Sequence, residues 1–530
     1  MGTWHPPAGG SSLRVIPHMR DFMVLFIKIF VLTEVKMNIL LIFPKYPDSF
    51  WSFKHAMRFI YKKANVPPLG LITVSAMLPK AWQKKLVDMN VSALQTSDIL
   101  WADYVFISAM YIQKESVSYV IDECLKNKAK IVAGGPLFTQ EFDNYPQIDH
   151  FVLNEAEITL PLFLKDLEAG ELPKRIYQTD EFADLTLTPV PDYYLLSGKD
   201  YVTMNIQFSR GCPFSCDFCE ITSLLGHKVR MKDTSQIIEE LELLYHLKWR
   251  GPVLIVDDNF IGNKNQVKNN LLPAMRNWME IHKYPFTFTM QTSINLADDE
   301  ELMSLLAETG FTSTFVGIET PFEESLQDCN KGQNKNRDLL QCVKKIQKAG
   351  LSVSGGFIVG FDSDTPTVFQ QQIDFIQQSG IVSAMVGLLN APKNTVLYKR
   401  LKAENRLTTE STGNNTDASM NFIPKMNYQD LLEGYKKIIQ NIYSTKPYYQ
   451  RVRLFLLNYK RLHARRNNLK ISSIGSFIKT IFIIGILNKG RGEYWKLLIW
   501  TLLRRPGMVR DALTFAVYGY HFRIVYGLKQ

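Results

Sequence analysis

Three of the six cysteines of this chain fall close together, in the run Ser209-Arg210-Gly211-Cys212-Pro213-Phe214-Ser215-Cys216-Asp217-Phe218-Cys219. Three thiolates on one loop can hold three irons of a cubane iron–sulfur cluster. The fourth iron then has no protein ligand, and an open metal position is what a catalytic centre needs. A zinc site would want a fourth ligand, and His227 follows near enough in sequence to make a Cys₃His set. The C-x₃-C-x₂-C spacing favours the cluster. Cys124, Cys329 and Cys342 are scattered and read as small buried hydrophobes. So few cysteines form no disulfide framework, which points to a reducing, cytoplasmic setting.

The elements around the run say how it is positioned. It directly follows an apolar stretch at 204–208 that reads as a strand. Further strands are expected at 253–256, 287–292, 313–318, 353–359 and 384–388, alternating with helical patterns. Six βα units over 201–407 suit a partial (βα)6 barrel, whose chemistry lies at the C-terminal ends of its strands. Upstream, 37–170 alternates strands at 39–43, 85–88, 104–108, 131–133 and 151–153 with helices at 70–78, 114–126 and 157–168. That pattern is a doubly wound, Rossmann-like parallel sheet, a fold that binds ligands beyond its strand carboxyl ends. The stretch 171–200, with Pro173, Pro189 and Pro191, reads as a linker. Residues 408–530 read as a polar loop at 408–419, a helix at 428–443 and a basic helical region. The expected fold class is therefore α/β with a helical C-terminal part.

Residues 1–36 read as an extension. The apolar stretch from Phe22 to Leu32 is broken by Lys28 and is too short to span a bilayer. Arg14 and Arg20 imitate a signal peptide, but no small-residue cleavage site follows. Met37 then opens the first strand.

Hydrophobic residues make up 46% of the 530 positions, enough for two or three cores, and the 21% of charged residues argues against disorder. The formal charge of +10 is unevenly placed: from Lys446 to Gln530, 17 Lys/Arg face only Glu493 and Asp511. Such a tail seeks an anionic partner or forms a solvated helical surface. Its Ile-rich runs and its Trp and Tyr residues suit a membrane interface and add nothing to phosphate binding, so nucleic acid is disfavoured. A bundle with all its apolar faces buried fits equally well.

The cysteine run matches the C-x₃-C-x-aromatic-C signature, and the chain resembles the radical S-adenosylmethionine enzymes. The resemblance implies a [4Fe–4S] cluster on Cys212, Cys216 and Cys219. Its unique iron would bind the amino and carboxylate groups of S-adenosylmethionine, and one electron would split a C–S bond to give a 5′-deoxyadenosyl radical. It also implies an electron donor such as a flavodoxin or ferredoxin. Phe218 would lie beside the adenine; an aromatic there also suits core packing. Asp257 and Asp258 end the second strand, where many members carry Gly-Gly-Glu against the methionyl amino group; that motif is absent, and helix capping is the alternative. Glu319 ends the fourth strand, where a carboxylate reaches the cofactor or forms a structural ion pair. Gly355 and Gly356 resemble the fifth-strand glycine motif, though glycines also allow close packing.

A doubly wound domain before such a barrel resembles the cobalamin-binding subgroup, the group that includes the hopanoid C-2 methylase. Ser108-Ala109-Met110 and Gly134-Gly135 stand where that subgroup carries Ser-x-Leu and Gly-Gly, so Ser108, Gly134 and Gly135 are the expected cobalamin contacts. Its Asp-x-His-x-x-Gly is missing. His55 lies in the right loop but outside any motif and reads as a surface residue, so the lower cobalt face is expected to lack a His ligand. The function implied is C-methylation of an unactivated carbon of a lipid or natural product, with membrane contact through the tail. The alternatives are a radical rearrangement or cyclisation without methyl transfer, and a non-catalytic metal or cobalamin sensor. No catalytic acid or base is identified.

Overall fold

The computed structural model describes residues 1–2, 36–170, 172–460 and 471–528. Most of the expected extension, and Arg461, Arg465, Arg466, Lys470 and Lys529 of the basic tail, lie outside the described residues.

The first sheet has six parallel strands in the order β2-β1-β3-β4-β5-β6: β1 (Asn38–Phe43), β2 (Gln83–Asp88), β3 (Tyr104–Ser108), β4 (Lys130–Gly134), β5 (His150–Val152) and β6 (Ile176–Tyr177). Helices cover both faces, so the central strands are apolar throughout: Ile39, Leu40, Leu41 and Ile42 of β1 are all fully buried. The chain turns back across β1 to start β3, so the strand order reverses between those two strands and opens a crevice at their C-terminal ends. Ser108 and Gly134 are register partners there. The stretch expected to be a linker contributes β6, which pairs with β5 at the sheet edge. Two residues are too few to leave a periodic signal.

The second sheet has six parallel strands in sequence order: β7 (Met204–Ile206), β8 (Pro252–Ile255), β9 (Thr287–Thr292), β10 (Phe311–Glu319), β11 (Ser352–Val359) and β12 (Ala384–Leu388). β7 and β12 are not hydrogen-bonded to each other, so the barrel is open. Its edge at β12 is capped from outside. The hydroxyl of Tyr443, on the helix Tyr428–Tyr443, accepts from Ala384 N (3.2 Å) and donates to Ala384 O (2.6 Å).

The tail folds into the helices Thr445–Asn458, Ile471–Thr480, Arg491–Arg504 and Val509–Val525, with a π-helical turn over Ile481–Leu487. Tyr494, Leu497 and Leu498 are buried, but Phe477, Ile478, Phe482, Ile486 and Leu487 are exposed. The apolar faces of the bundle are therefore only partly covered. Among the described residues no helix is long and apolar enough to cross a membrane.

The helix Val509–Val525 crosses Thr445–Asn458 at Gly519, where an added Cβ would lie 2.3 Å from the Tyr448 ring. Gly519→Ala is expected to cost about 1–3 kcal/mol through overpacking, despite better helix propensity. Gly492→Ala, with nothing within 4 Å, is expected to be neutral or slightly stabilising. Urea unfolding midpoints compare the two, and equal midpoints would refute the tight crossing.

Candidate functional site

The cysteine loop is closed at its base by a short antiparallel ribbon that pairs Ser209 with Met231 and Arg210 with Arg230. Gly211 has φ +93°, and a Cβ there would lie 2.5 Å from Lys228 O, so only glycine fits the turn. Cys212 N donates to Gly226 O (3.2 Å) and Cys219 N to Cys216 O (3.1 Å). Burial pushes the Cys212 thiol up, and Cys216 and Asp258 add to it. Cys219 is pushed up to about 12 by burial, with Cys216 and Cys212 contributing. The three thiols therefore feel one another's charge.

A second chain segment straps the loop from the barrel side. Asn330 Nδ2 donates to Ser215 O (2.9 Å), Gln333 Nε2 lies 3.6 Å from Cys216 Sγ, and Asn334 Nδ2 donates to Gly317 O (3.0 Å) and Ile318 O (2.9 Å). Between them, Lys331 Nζ donates to Glu319 Oε1 (2.7 Å) and stands 5.9 Å from the Phe218 ring centre. Burial alone would pull the Lys331 amine down; Glu319, Cys216 and Cys219 outweigh it and push the amine up. Glu319 sits at φ +62°, beyond a register shift in β10, a conformation costly for a residue other than glycine. A Cβ on Gly317 would lie 2.3 Å from Glu319 Oε1 and 3.0 Å from Lys331 Nζ. Gly317 thus makes the room in which this pair sits. Nothing in the sequence marked Lys331, Gln333 or Asn334, since their common residue types lie over 100 positions from the loop they hold.

The other expected residues separate by geometry. Asp257 is fully buried and accepts from Phe208 N (2.8 Å), Ser209 N (2.7 Å) and Ser209 Oγ (2.6 Å). It shapes the approach to the cysteine loop rather than facing it. Asp258, in the turn that follows, acts on Cys212. Burial pushes its own carboxyl up to about 6, with Arg210 opposing and Glu220 adding. Phe218 packs edge-on against Phe361 (6.3 Å). A Cβ on Gly356 would lie 2.8 Å from the Phe315 ring, and one on Gly355 2.7 Å from the Phe357 ring. Both glycines are accounted for by aromatic neighbours.

The first sheet meets the loop through buried charges. Arg210 donates to Glu155 (2.9 Å) and Glu157 (2.8 and 3.0 Å), and Arg230 donates to Glu155 (2.7 and 3.0 Å). Glu155 caps and Glu157 lies in the first turn of the helix Ala156–Glu168, where the helix dipole favours carboxylates. Lys114 and Lys393 both bridge Glu141 and Glu410, tying the same sheet to the segment after β12.

At the ends of β3 and β4, a Cβ on Gly134 would meet Val152 O at 2.6 Å, and one on Gly135 (φ +90°) would meet Ser108 Oγ at 2.8 Å. The ledge is bare backbone, followed in the chain by the exposed apolar side chain of Met110. Trp51 reaches the barrel mouth: Nε1 lies 3.1 Å from Met385 Sδ, and the ring stands edge-on to Phe315 at 5.2 Å. A bare ledge fits a broad, flat ligand. His55 is not the expected surface residue. It is largely buried, 3.3 Å from Asp48 and 5.7 Å from the His521 ring, pointing to the tail.

The donor set fits a cluster better than a single ion. His227 is exposed beside Pro213, Lys228 and Asn263. Among the described residues no three of His, Cys, Asp or Glu are gathered closely enough to hold one metal ion. A cubane spaces its thiolates wider than a single ion does, and a thiolate set with an ammonium and an amide N–H beside it is suited to carry negative charge.

Asp257→Asn is expected to destabilise the chain by about 1–3 kcal/mol, because an amide cannot accept all three bonds. Burial raises the carboxyl to about 7, so folding favours its neutral form. That contribution is present below the unfolded value of about 4 and lost as pH rises through about 7. The variant should therefore lose stability less steeply over that window. Thermal melts of the cluster-free protein at stepped pH check both, and unchanged melts would show that Asp257 has no such role.

A profile described as the radical SAM superfamily matches residues 206–376, and one described as a domain of unknown function, DUF4070, matches 395–527. An uncharacterized methyltransferase of Synechocystis sp. is 40% identical, over 92% of this chain and 91% of that protein. The hopanoid C-2 methylase of Rhodopseudomonas palustris is 31% identical, over 93% and 94%. Among solved structures, the cobalamin-dependent S-adenosylmethionine radical enzyme OxsB, with aqua-cobalamin bound, aligns with a TM-score of 0.60 at 13% identity, covering 93% of this chain and 84% of that one. The radical S-adenosylmethionine methyltransferase TsrM from Kitasatospora setae, with cobalamin and a [4Fe–4S] cluster bound, aligns with a TM-score of 0.56 at 14% identity, over 76% and 85%. At such identities the likeness is one of fold.

Proposed function

This chain belongs to the radical S-adenosylmethionine enzymes, among the methyltransferases related to the hopanoid C-2 methylase, and from that premise we propose that it C-methylates an unactivated carbon of a lipid-like substrate. The observation that carries the reading is the placing of the cysteine loop. It sits at the C-terminal mouth of the open barrel, clamped by Arg210 and Arg230 to the helix that opens at Glu155 on the sheet carrying the β3–β4 ledge. Cys212, Cys216 and Cys219 would hold the cluster, and Asp258 would meet the cofactor's cationic end, while Glu319 is bonded to Lys331. Ser108, Gly134 and Gly135 would carry cobalamin, with no histidine beneath the cobalt. When bound, these groups supply a carbon radical and a transferable methyl group. The chain's own residues orient them: the ribbon and strap fix the loop, while Trp51 joins the first sheet's loop to Phe315 and Met385 of the barrel strands.

Membrane contact belongs to the same reading. On the segment 474–503, large apolar side chains such as Phe477, Phe482, Leu487 and Leu503 are 40–78% exposed. Lys489, Arg491, Lys496 and Arg504 are exposed among them. Aromatic and aliphatic groups interleaved with cations suit an anionic bilayer surface, each engaged cation adding about 1 kcal/mol. The enzyme then works from the cytoplasmic face, with a flavodoxin- or ferredoxin-like donor supplying the electron.

Replacing Cys212, Cys216 and Cys219 together by Ala is expected to abolish iron and sulfide binding and 5′-deoxyadenosine formation. Hydroxocobalamin should be retained by the native chain through gel filtration. With methyl-labelled S-adenosylmethionine and a lipid extract, the product should gain one labelled methyl group; a product without it would favour radical rearrangement. Iron retained by the triple variant would overturn the central reading.

The combined variant Phe477→Ser, Phe482→Ser and Leu503→Ser should lose sedimentation with anionic vesicles while keeping the wild-type melting temperature. Negligible binding by the native chain itself would remove the membrane part and leave the chemistry standing.

A further inference from the structure

The cysteines sit beside a buried ion pair. Lys331 Nζ lies against the Phe218 ring, one residue from Cys219, and its field reaches Cys212, Cys216 and Cys219. Glu319 holds that ammonium at 2.7 Å. Its carboxylate also acts on Cys329, after burial. Gln333 adds an N–H 3.6 Å from Cys216 Sγ. Lys331 is 12% exposed and Glu319 9%, so water screens the pair weakly and its charges act at close to full strength. The fold also maintains the arrangement at a cost: Glu319 is kept at φ +62°, and Gly317 is kept free of a side chain that would strike both partners.

Taking the cysteines as cluster ligands, as proposed above, we infer that Lys331 and Glu319 set the reduction potential of the cluster, the ammonium as its fixed counter-charge and the carboxylate as the group that aims and partly offsets it. Adding one electron makes a thiolate-bound cluster more negative. A cation facing the sulfurs favours the reduced form, and net charge and hydrogen bonds to sulfur are established determinants of such potentials. Removing the ammonium should make the cluster harder to reduce. Removing the carboxylate leaves the ammonium uncompensated and should make it easier. An ion pair that served only packing would shift neither in this way. Both residues are positioning residues, acting on the cluster through space.

The test is a mediator-coupled redox titration, read by electron paramagnetic resonance, of protein reconstituted with iron and sulfide in the absence of S-adenosylmethionine. Iron content is read first. Lys331→Met should move the midpoint to more negative potential, Lys331→Arg should stay near the native value, and Glu319→Gln should move it to more positive potential. If Lys331→Met fails to take up a cluster, the sign of the Glu319→Gln shift decides alone. Midpoints that coincide, or shifts of the same sign for Lys331→Met and Glu319→Gln, would overturn the inference while leaving the cluster assignment intact. A native chain that takes up no cluster would instead refute the assignment of the cysteines, and this inference with it.

Discussion

Arg210, Arg230, Glu155 and Glu157 form a buried four-charge junction on which the rest of the site depends. The two arginines stand opposite each other on the ribbon that closes the cysteine loop, and the two glutamates open a helix of the other sheet. All four side chains are at most 14% exposed. Buried ion pairs of this kind add little net stability, because desolvation consumes most of the Coulombic gain. Deleting one partner, however, strands a charge at a cost of about 3–5 kcal/mol. What the junction contributes is geometry. It sets the height of the cysteine loop against the ends of the first sheet, and guanidinium forks hold carboxylates in few orientations.

With that distance set, the two halves divide the work by what they leave uncovered. The barrel side presents sulfur, one ammonium and the carboxylate of Asp258. The sheet side presents bare backbone where Gly134 and Gly135 admit no side chain. Trp51 crosses from one to the other, its indole N–H on Met385 and its ring edge-on to Phe315. The opening between the halves is therefore polar near the cysteines and apolar away from them.

The cysteine loop was legible in the sequence because its three thiols lie close together along the chain and are chemically distinctive. The strands were legible because parallel sheets covered on both faces need unbroken apolar runs, as at Ile39–Ile42. Asp257 and Asp258 could not be told apart beforehand: both lie past the strand end at Ile255, and only the folded turn shows that Asp257 is taken up by Phe208 and Ser209 while Asp258 acts on Cys212. Lys331 and Glu155 were invisible for another reason. Each is an ordinary charged residue whose partners lie 12 to 75 positions away, and no local spacing announces such a meeting. Gly355 and Gly356 were legible as constrained, but the constraint proved to be the rings of Phe357 and Phe315. His55 was misread because its neighbour His521 lies at the far end of the chain.

The hydroxyl of Tyr443, bonded to both the amide and the carbonyl of Ala384, stands in for the strand that an open barrel lacks. The tail is thereby joined to the sheet by main-chain groups as well as by packing. A chain that lost the helix Tyr428–Tyr443 would present a raw parallel edge to solvent, and raw edges recruit strands from other molecules. The expected fate of such a fragment is self-association and precipitation rather than a clean, smaller enzyme.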